Sequence, residues 1–148
     1  MRKAMPIMLL GAALVLVSTH AEAGSEVEGA REAAQTFQQV LSSANPPGLR
    51  RILPASGKVQ LRLECFGDQE GFFSSSQVEA LFNDYFKSGS AASFEVSRIE
   101  HDKRGYALVH GRVELTDSDG RSSRADLHLA LQAEGDHWVL REIRETHR

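Results

Sequence analysis

Cys65 is the only cysteine in the sequence. No disulfide can form within the chain, so the fold is held by packing even in a compartment that permits disulfides. A lone cysteine can pair between chains, but Cys65 closes an alternating apolar run and reads as a small buried hydrophobe. Charge of one sign is also scarce. Seventeen Lys and Arg against twenty Asp and Glu leave a net −3 over 148 residues. No basic stripe is available to track phosphates, which argues against a nucleic acid partner. Long apolar runs are missing too. The longest, Met5 to Val17, is about 13 residues, whereas a bilayer span needs roughly 20. There is no GxSxG, HExxH, CxxC, P-loop or dinucleotide fingerprint, so the enzyme classes they mark lack their signature and no cofactor is expected.

The amino terminus does carry a targeting pattern. Met1-Arg2-Lys3 is a short positive segment, the apolar run follows, and Ala21-Glu22-Ala23 puts small residues at the two positions a signal peptidase reads. Residues 1–23 are expected to be a signal peptide, and residues 24–148 one domain of a secreted protein, periplasmic or extracellular. No cysteine near the cleavage site offers a lipid attachment point. The mature chain of 125 residues then carries 15 basic and 19 acidic side chains, with no membrane span. A chain of this size buries roughly two thirds of its unfolded surface, enough for its own core.

Val27, Ala30, Ala34, Phe37 and Leu41 recur at steps of three and four, one apolar stripe of a helix. Asn45-Pro46-Pro47-Gly48 stops it, and Leu49 to Leu53 is expected as one helical turn closed by Pro54. Val59, Leu61, Leu63 and Cys65 alternate with polar residues as a half-buried strand, followed by a loop at Gly67 to Gly71. A second helix is signalled by Ser74 with Gln77 three residues on, a capping box, flanked by Phe73 and Val78 as a hydrophobic staple. Its buried stripe is Val78, Leu81, Phe82, Tyr85 and Phe86, and Gly89 stops it. Four strands should follow, at about Ser93–Glu100, Gly105–Thr116, Arg121–Gln132 and His137–Glu145, the last three joined by tight turns at Asp117 to Gly120 and Glu134-Gly135. The order of elements gives an α+β fold, helices packed on a curved antiparallel sheet.

The central hairpin can be registered from its pattern. Apolar residues fall at odd positions on both strands: Ala107, Val109, Gly111, Val113 and Leu115, then Ala125, Leu127, Leu129 and Leu131. Residues directly opposite share a face, so odd must meet odd. A three-residue loop, Ser118 to Gly120, sets Gly120 where a bulged turn needs positive φ. The other face then checks the alignment. It sets Glu114 opposite Arg124, Arg112 opposite Asp126, His110 opposite His128 and Leu108 opposite Ala130. In the last strand Trp138 and Leu140 should face Leu131 and Leu129, with Val139 beside Ala130 and Leu108. Ile143 is out of phase unless a bulge lies near Arg141–Glu142.

These elements, from Val59-Gln60-Leu61-Arg62-Leu63 through Phe73-Ser74-Ser75-Ser76-Gln77-Val78, Phe82-Asn83-Asp84-Tyr85-Phe86, Ser93-Phe94-Glu95-Val96 and Tyr106-Ala107-Leu108-Val109-His110-Gly111 to Trp138-Val139-Leu140, resemble the nuclear transport factor 2-like superfamily, a cystatin-like α+β cone. They are most similar to a secreted bacterial branch known only as a domain of unknown function. The resemblance implies a concave sheet wrapped on helices, often dimeric. It implies no one activity, because the fold hosts many.

Enzymes of this superfamily place an acid, a base or a histidine inside the cone. The inward-facing residues of the two long strands cannot titrate or attack, so those strands supply no general acid or base. Tyr85 and Cys65 read as packed groups with satisfied tips, and no cation faces Cys65 to form a thiolate. His110 and His128, with Asp126 nearby, form the only metal-like grouping. Arg112 beside them repels a cation, and no metal is expected. An exposed polar face or dimer interface suits the pair better, and protonation near pH 6 to 7 would tune it. Asp117-Ser118-Asp119-Gly120 has the wrong glycine spacing for a calcium loop and reads as a turn.

Three readings follow. The first is a non-catalytic secreted module acting by association, as a homodimer or with another envelope protein, through an interface of Tyr106, Leu108, His110, His128, Ala130 and Val139. The second is a carrier of a small apolar ligand inside the cone, which Gly111 and the apolar lining would suit. The third is an enzyme using loop residues such as Asp68 or Glu70.

Overall fold

The structure is a computed structural model. It describes residues 20–146, with side-chain burial from residue 27. The expected signal peptide lies outside them apart from residues 20–23, which open the first helix. The elements run α1 (His20–Ser43), a 3-10 turn (Pro46–Arg51), β1 (Val59–Leu63), β2 (Gln69–Phe73), α2 (Ser75–Lys87), β3 (Ala91–Asp102), β4 (Tyr106–Thr116), β5 (Ser122–Glu134) and β6 (His137–Thr146).

The six strands make one curved sheet in the order β2-β1-β6-β5-β4-β3. The sheet is mixed. All neighbours are antiparallel except β1 and β6, which run parallel with Leu61 beside Ile143. A run of strands joined by hairpins suggests antiparallel pairing throughout. It cannot show β1 docking on β6 from the far end of the sequence. The segment expected as a loop at Gly67 to Gly71 is partly strand: β2 begins at Gln69 and folds back on β1, pairing Leu63 with Gln69 and Val59 with Phe73. Gly71, at φ +136°, holds a conformation that hides the strand from a propensity reading. The helical turn also starts earlier than its apolar residues suggest. Pro46 opens it, because proline is preset for a first helical position where its missing N–H costs nothing.

Helix α2 forms as its sequence signals. Gln77 N donates to Ser74 Oγ and Ser74 N donates to Gln77 Oε1, a complete capping box. Helix α1 buries Ala30, Ala33, Ala34, Phe37, Val40 and Leu41 against the sheet, while Val27, expected on that stripe, stays exposed.

The β4–β5 register is the one the sequence pattern dictates, with His110 opposite His128, Arg112 opposite Asp126 and Glu114 opposite Arg124. Gly120 turns the hairpin at φ +83°, and Asp117 Oδ1 accepts from the backbone N–H groups of Asp119 and Arg121. Two bulges complete the geometry. Arg141 is an extra residue in β6, which brings Ile143 opposite Leu129. The turn falls at Gly135-Asp136, one residue later than expected, so Leu140 meets Leu131, Trp138 meets Ala133 and Val139 meets Gln132, each two positions from its expected neighbour. Ser97 is the extra residue of β3, and its hydroxyl donates to the His110 carbonyl at 3.0 Å.

The inner face is filled by aromatic rings. Phe37 makes edge-to-face contacts with Phe82 and Phe94, and Phe66 does so with Phe82 and Tyr85. Gly111 exists for this packing. A Cβ there would stand 2.3 Å from Phe94 Cζ and 2.6 Å from the Glu95 carbonyl oxygen. The ring has no room to yield and the carbonyl belongs to the paired strand. Gly111→Ala is therefore expected to destabilise the protein by about 1–3 kcal/mol by overpacking, measured by urea denaturation. An unchanged midpoint would show that β3 and β4 can separate freely at this point.

Candidate functional site

The outer face of the sheet gathers the residues that sequence patterning singled out. Even-numbered residues of β4 and β5 point there, away from the helices. His110 and His128 stand at its centre, with His110 Nδ1 2.9 Å from His128 Nε2 and the rings nearly perpendicular at 4.2 Å between centroids. Leu108 and Ala130 are half-buried beside them and Tyr106 is 49% exposed. Val139 shares the face but is only 1% exposed. It offers no surface to a partner, while Arg141, the unpaired bulge residue, reaches Gln132, the cross-strand partner of Val139, and also Glu134.

The bulges bring in residues that sequence reasoning did not place. Ser97 resets the phase of β3 so that Arg98 lies opposite His110 and Glu100 opposite Leu108. Arg141 resets β6 so that Arg144 lies opposite His128 and Glu142 opposite Ala130. Glu100 Oε2 is 3.3 Å from His110 Nε2, and Arg144 Nη2 is 3.5 Å from His128 Nδ1. The out-of-phase Ile143 was the sequence signal for Arg144. A signal of the same kind was present in β3 and went unread: Ile99 is out of phase with Phe94 and Val96.

Every arginine on this face sits beside a carboxylate: Arg62 by Glu70, Arg98 by Glu100, Arg112 by Asp126, Arg124 by Glu114, Arg141 by Glu134 and Arg144 by Glu142. Each such exposed pair contributes little stability, about 0–1 kcal/mol. Together they leave the face with both signs interleaved. Asp126, conceivable as a third metal ligand, is engaged with Arg112 at 3.3 Å. Among the described residues no three His, Cys, Asp or Glu side chains converge as a metal site. No helix among them is long and apolar enough to cross a membrane.

The inner candidates are held in structural roles. Tyr85 donates its hydroxyl to the Ala91 carbonyl at 2.9 Å, and burial raises its pKa. Cys65 has an anion as its neighbour. Glu145 accepts from the backbone N–H groups of Glu64 and Cys65 at 2.8 and 2.9 Å. Burial first, and this carboxylate second, push the Cys65 thiol up to about 12. Glu145 itself escaped sequence reasoning, since only the β6 bulge puts it on the inner side opposite Leu127. Asp68 and Glu70 line an open hollow with Arg62, Glu64 and Glu145 at the β1–β2 end, and no histidine or hydroxyl shares that lining.

Solved structures with the same arrangement decide the fold. A nuclear transport factor 2-like protein from Anabaena variabilis superposes with a TM-score of 0.62 at 13% identity, covering 82% of this chain and 88% of that one. The chain has the nuclear transport factor 2-like fold. A ketosteroid isomerase-like protein from Erwinia carotovora atroseptica matches with a TM-score of 0.62 at 13% identity, over 83% of this chain and 98% of the other. A DUF4783 family protein from Bacteroides uniformis matches at 0.59 and 14%, over 77% and 97%. Identities this low carry the nuclear transport factor 2-like fold across and no activity with it. By sequence, no family model and no curated protein matches.

Proposed function

We propose that this protein is a secreted, non-catalytic association module that pairs with a second copy of itself through the outer face of its sheet. The observation that carries the reading is the charge pattern of that face. Each of its arginines is already answered by an acid, so it offers no surplus charge to a nucleic acid or an anionic surface. A surface bearing both signs around an apolar and imidazole centre is complementary to itself, as a two-fold interface requires. The size also suits. Strands of 11 residues at about 3.3 Å rise, four abreast at about 4.8 Å, span roughly 700 Å², close to the ~800 Å² per partner of a stable interface. The ligand-carrier reading is weaker, because Phe94 occupies the space over Gly111 that a guest would need.

Leu108→Asp tests the reading. It sets a new carboxylate between Glu100 and Ala130. The native protein is expected to sediment as a dimer, and the variant to pair at least about thirtyfold more weakly, equivalent to about 2 kcal/mol. A native protein that sediments as a monomer at micromolar concentration overturns self-pairing and points to a different envelope protein as the partner.

A further inference from the structure

The geometry points to an acid-operated release built into this face: a one-way chain of hydrogen-bonding groups, Arg144 to His128 to His110 to Glu100, that excludes an added proton and opens when one is forced in. The inference rests on the self-pairing reading above and gives it a control.

The direction follows from which atoms can donate. A guanidinium only donates, so Arg144 Nη2, 3.5 Å from His128 Nδ1, favours a lone pair on that nitrogen. The proton of neutral His128 then sits on Nε2, pointing at His110 Nδ1 at 2.9 Å. His110 accepts there, so its own proton sits on Nε2, facing Glu100 Oε2 at 3.3 Å. The reverse tautomers would set an N–H against the Arg144 guanidinium and a bare nitrogen against the Glu100 carboxylate. Arg98 Nη2 lies 3.4 Å from His110 Nε2 but nearer to Glu100, at 3.1 Å, where it finds its acceptor.

This chain has no vacant place for another proton. His110 Nδ1 is occupied by the His128 N–H, and His128 Nδ1 faces a cation. Protonating both rings would press N–H against N–H at 2.9 Å. A proton therefore enters only by parting the two rings or expelling Arg144. The charged groups around the pair are Arg98, Glu100 and Glu95 from β3, Arg112 on β4, Asp126 on β5, and Arg144 and Glu142 on β6. Four carboxylates against three guanidiniums do not repel a cation in sum, so what resists the proton is local: the Arg144 guanidinium at His128 Nδ1 and the occupied nitrogens between the rings. Burial, His110, Arg144 and Arg98 accordingly lower the His128 pKa from 6.5, with Asp126 opposing. A lowered histidine pKa means that the intact arrangement is fully stable above 6.5 and loses stability as pH falls through the lowered value. When two copies meet across this face, parting the rings or expelling Arg144 breaks the matched surface that both copies share, and the pairing weakens.

The test is sedimentation velocity of the native protein and of the double variant His110→Gln, His128→Gln, from about pH 7.5 to about pH 5. The native dimer is expected to weaken at least about tenfold over that range, and the double variant to change by less than about threefold. His137, at the edge of the face, is intact in both and serves as the control. A native dimer with no pH dependence, or a double variant with the same dependence, overturns the release and leaves self-pairing standing. A native protein that is monomeric at the higher pH overturns both. Ring-proton NMR supplies a second readout, since a His128 midpoint at or above 6.5 overturns the one-way chain whatever the oligomer does.

Discussion

Phe37→Ala is expected to cost about 3–5 kcal/mol of unfolding free energy, seen as a lower urea midpoint with little change in slope. Phe37 is the ring on which both halves of the core meet. It leaves α1 fully buried and touches Phe82 of α2 and Phe94 of β3 edge to face. Its removal opens a void that three different elements would have to move to close, and Gly111 and β4 already fix Phe94 from behind. Cavities of that kind relax poorly, which sets the cost at the upper end of core truncations. The loss matters because no disulfide limits the unfolded chain, and domains of this size have only about 5–15 kcal/mol in total. A loss under about 1 kcal/mol would show that α1 is not integral to the folding unit.

The second large effect concerns Cys65. Its thiol, pushed up to about 12 from 9.0, has about a thousandfold less thiolate at pH 8 than a cysteine of the ordinary value. A more basic thiolate is a better nucleophile, and with a Brønsted slope of about 0.4–0.5 this recovers roughly twentyfold. Alkylation by iodoacetamide at pH 8 should therefore run about fiftyfold slower in the native protein than in denaturant, with burial slowing it further. Glu145→Gln keeps an acceptor for the Glu64 and Cys65 amides and removes the nearby charge, so native alkylation is expected to accelerate. Rapid reaction of the native protein would mean that the β1–β2 end opens readily. The same chemistry bears on intermolecular disulfides. A thiol this hard to ionise and this close to a carboxylate is a poor partner for exchange.

Much of the architecture was legible in short segments. The alternation of Ala107 to Leu115 with Ala125 to Leu131 gave the hairpin register, and the outer face verified it through Glu114–Arg124 and Arg112–Asp126. Ser74 with Gln77 marked the start of α2. The phase error at Ile143 announced the Arg141 bulge. Each is a local rule: a period, a cap, a turn. What was missed has non-local causes. β2 is short, contains Gly71 at positive φ, and becomes a strand only because β1 offers it an edge. The parallel pairing of β1 with β6 joins residues about eighty positions apart, a distance over which sequence pattern carries no register.

The candidate site divides the same way. Sequence alone determined that His110 and His128 face one another on an outward surface among balanced charges, because side-chain alternation leaves no other face for them once the core is buried. Ile99 and Ile143 break phase in the sequence, but only the tertiary structure decided which residue is extra in each strand and so what lies at either end of that pair. One extra residue in β3 and one in β6 shift the strands by a single position, and a one-residue shift moves every later side chain to the opposite face. That shift sets Arg144 at one end, Glu100 at the other, and Glu145 on the inner side above Cys65.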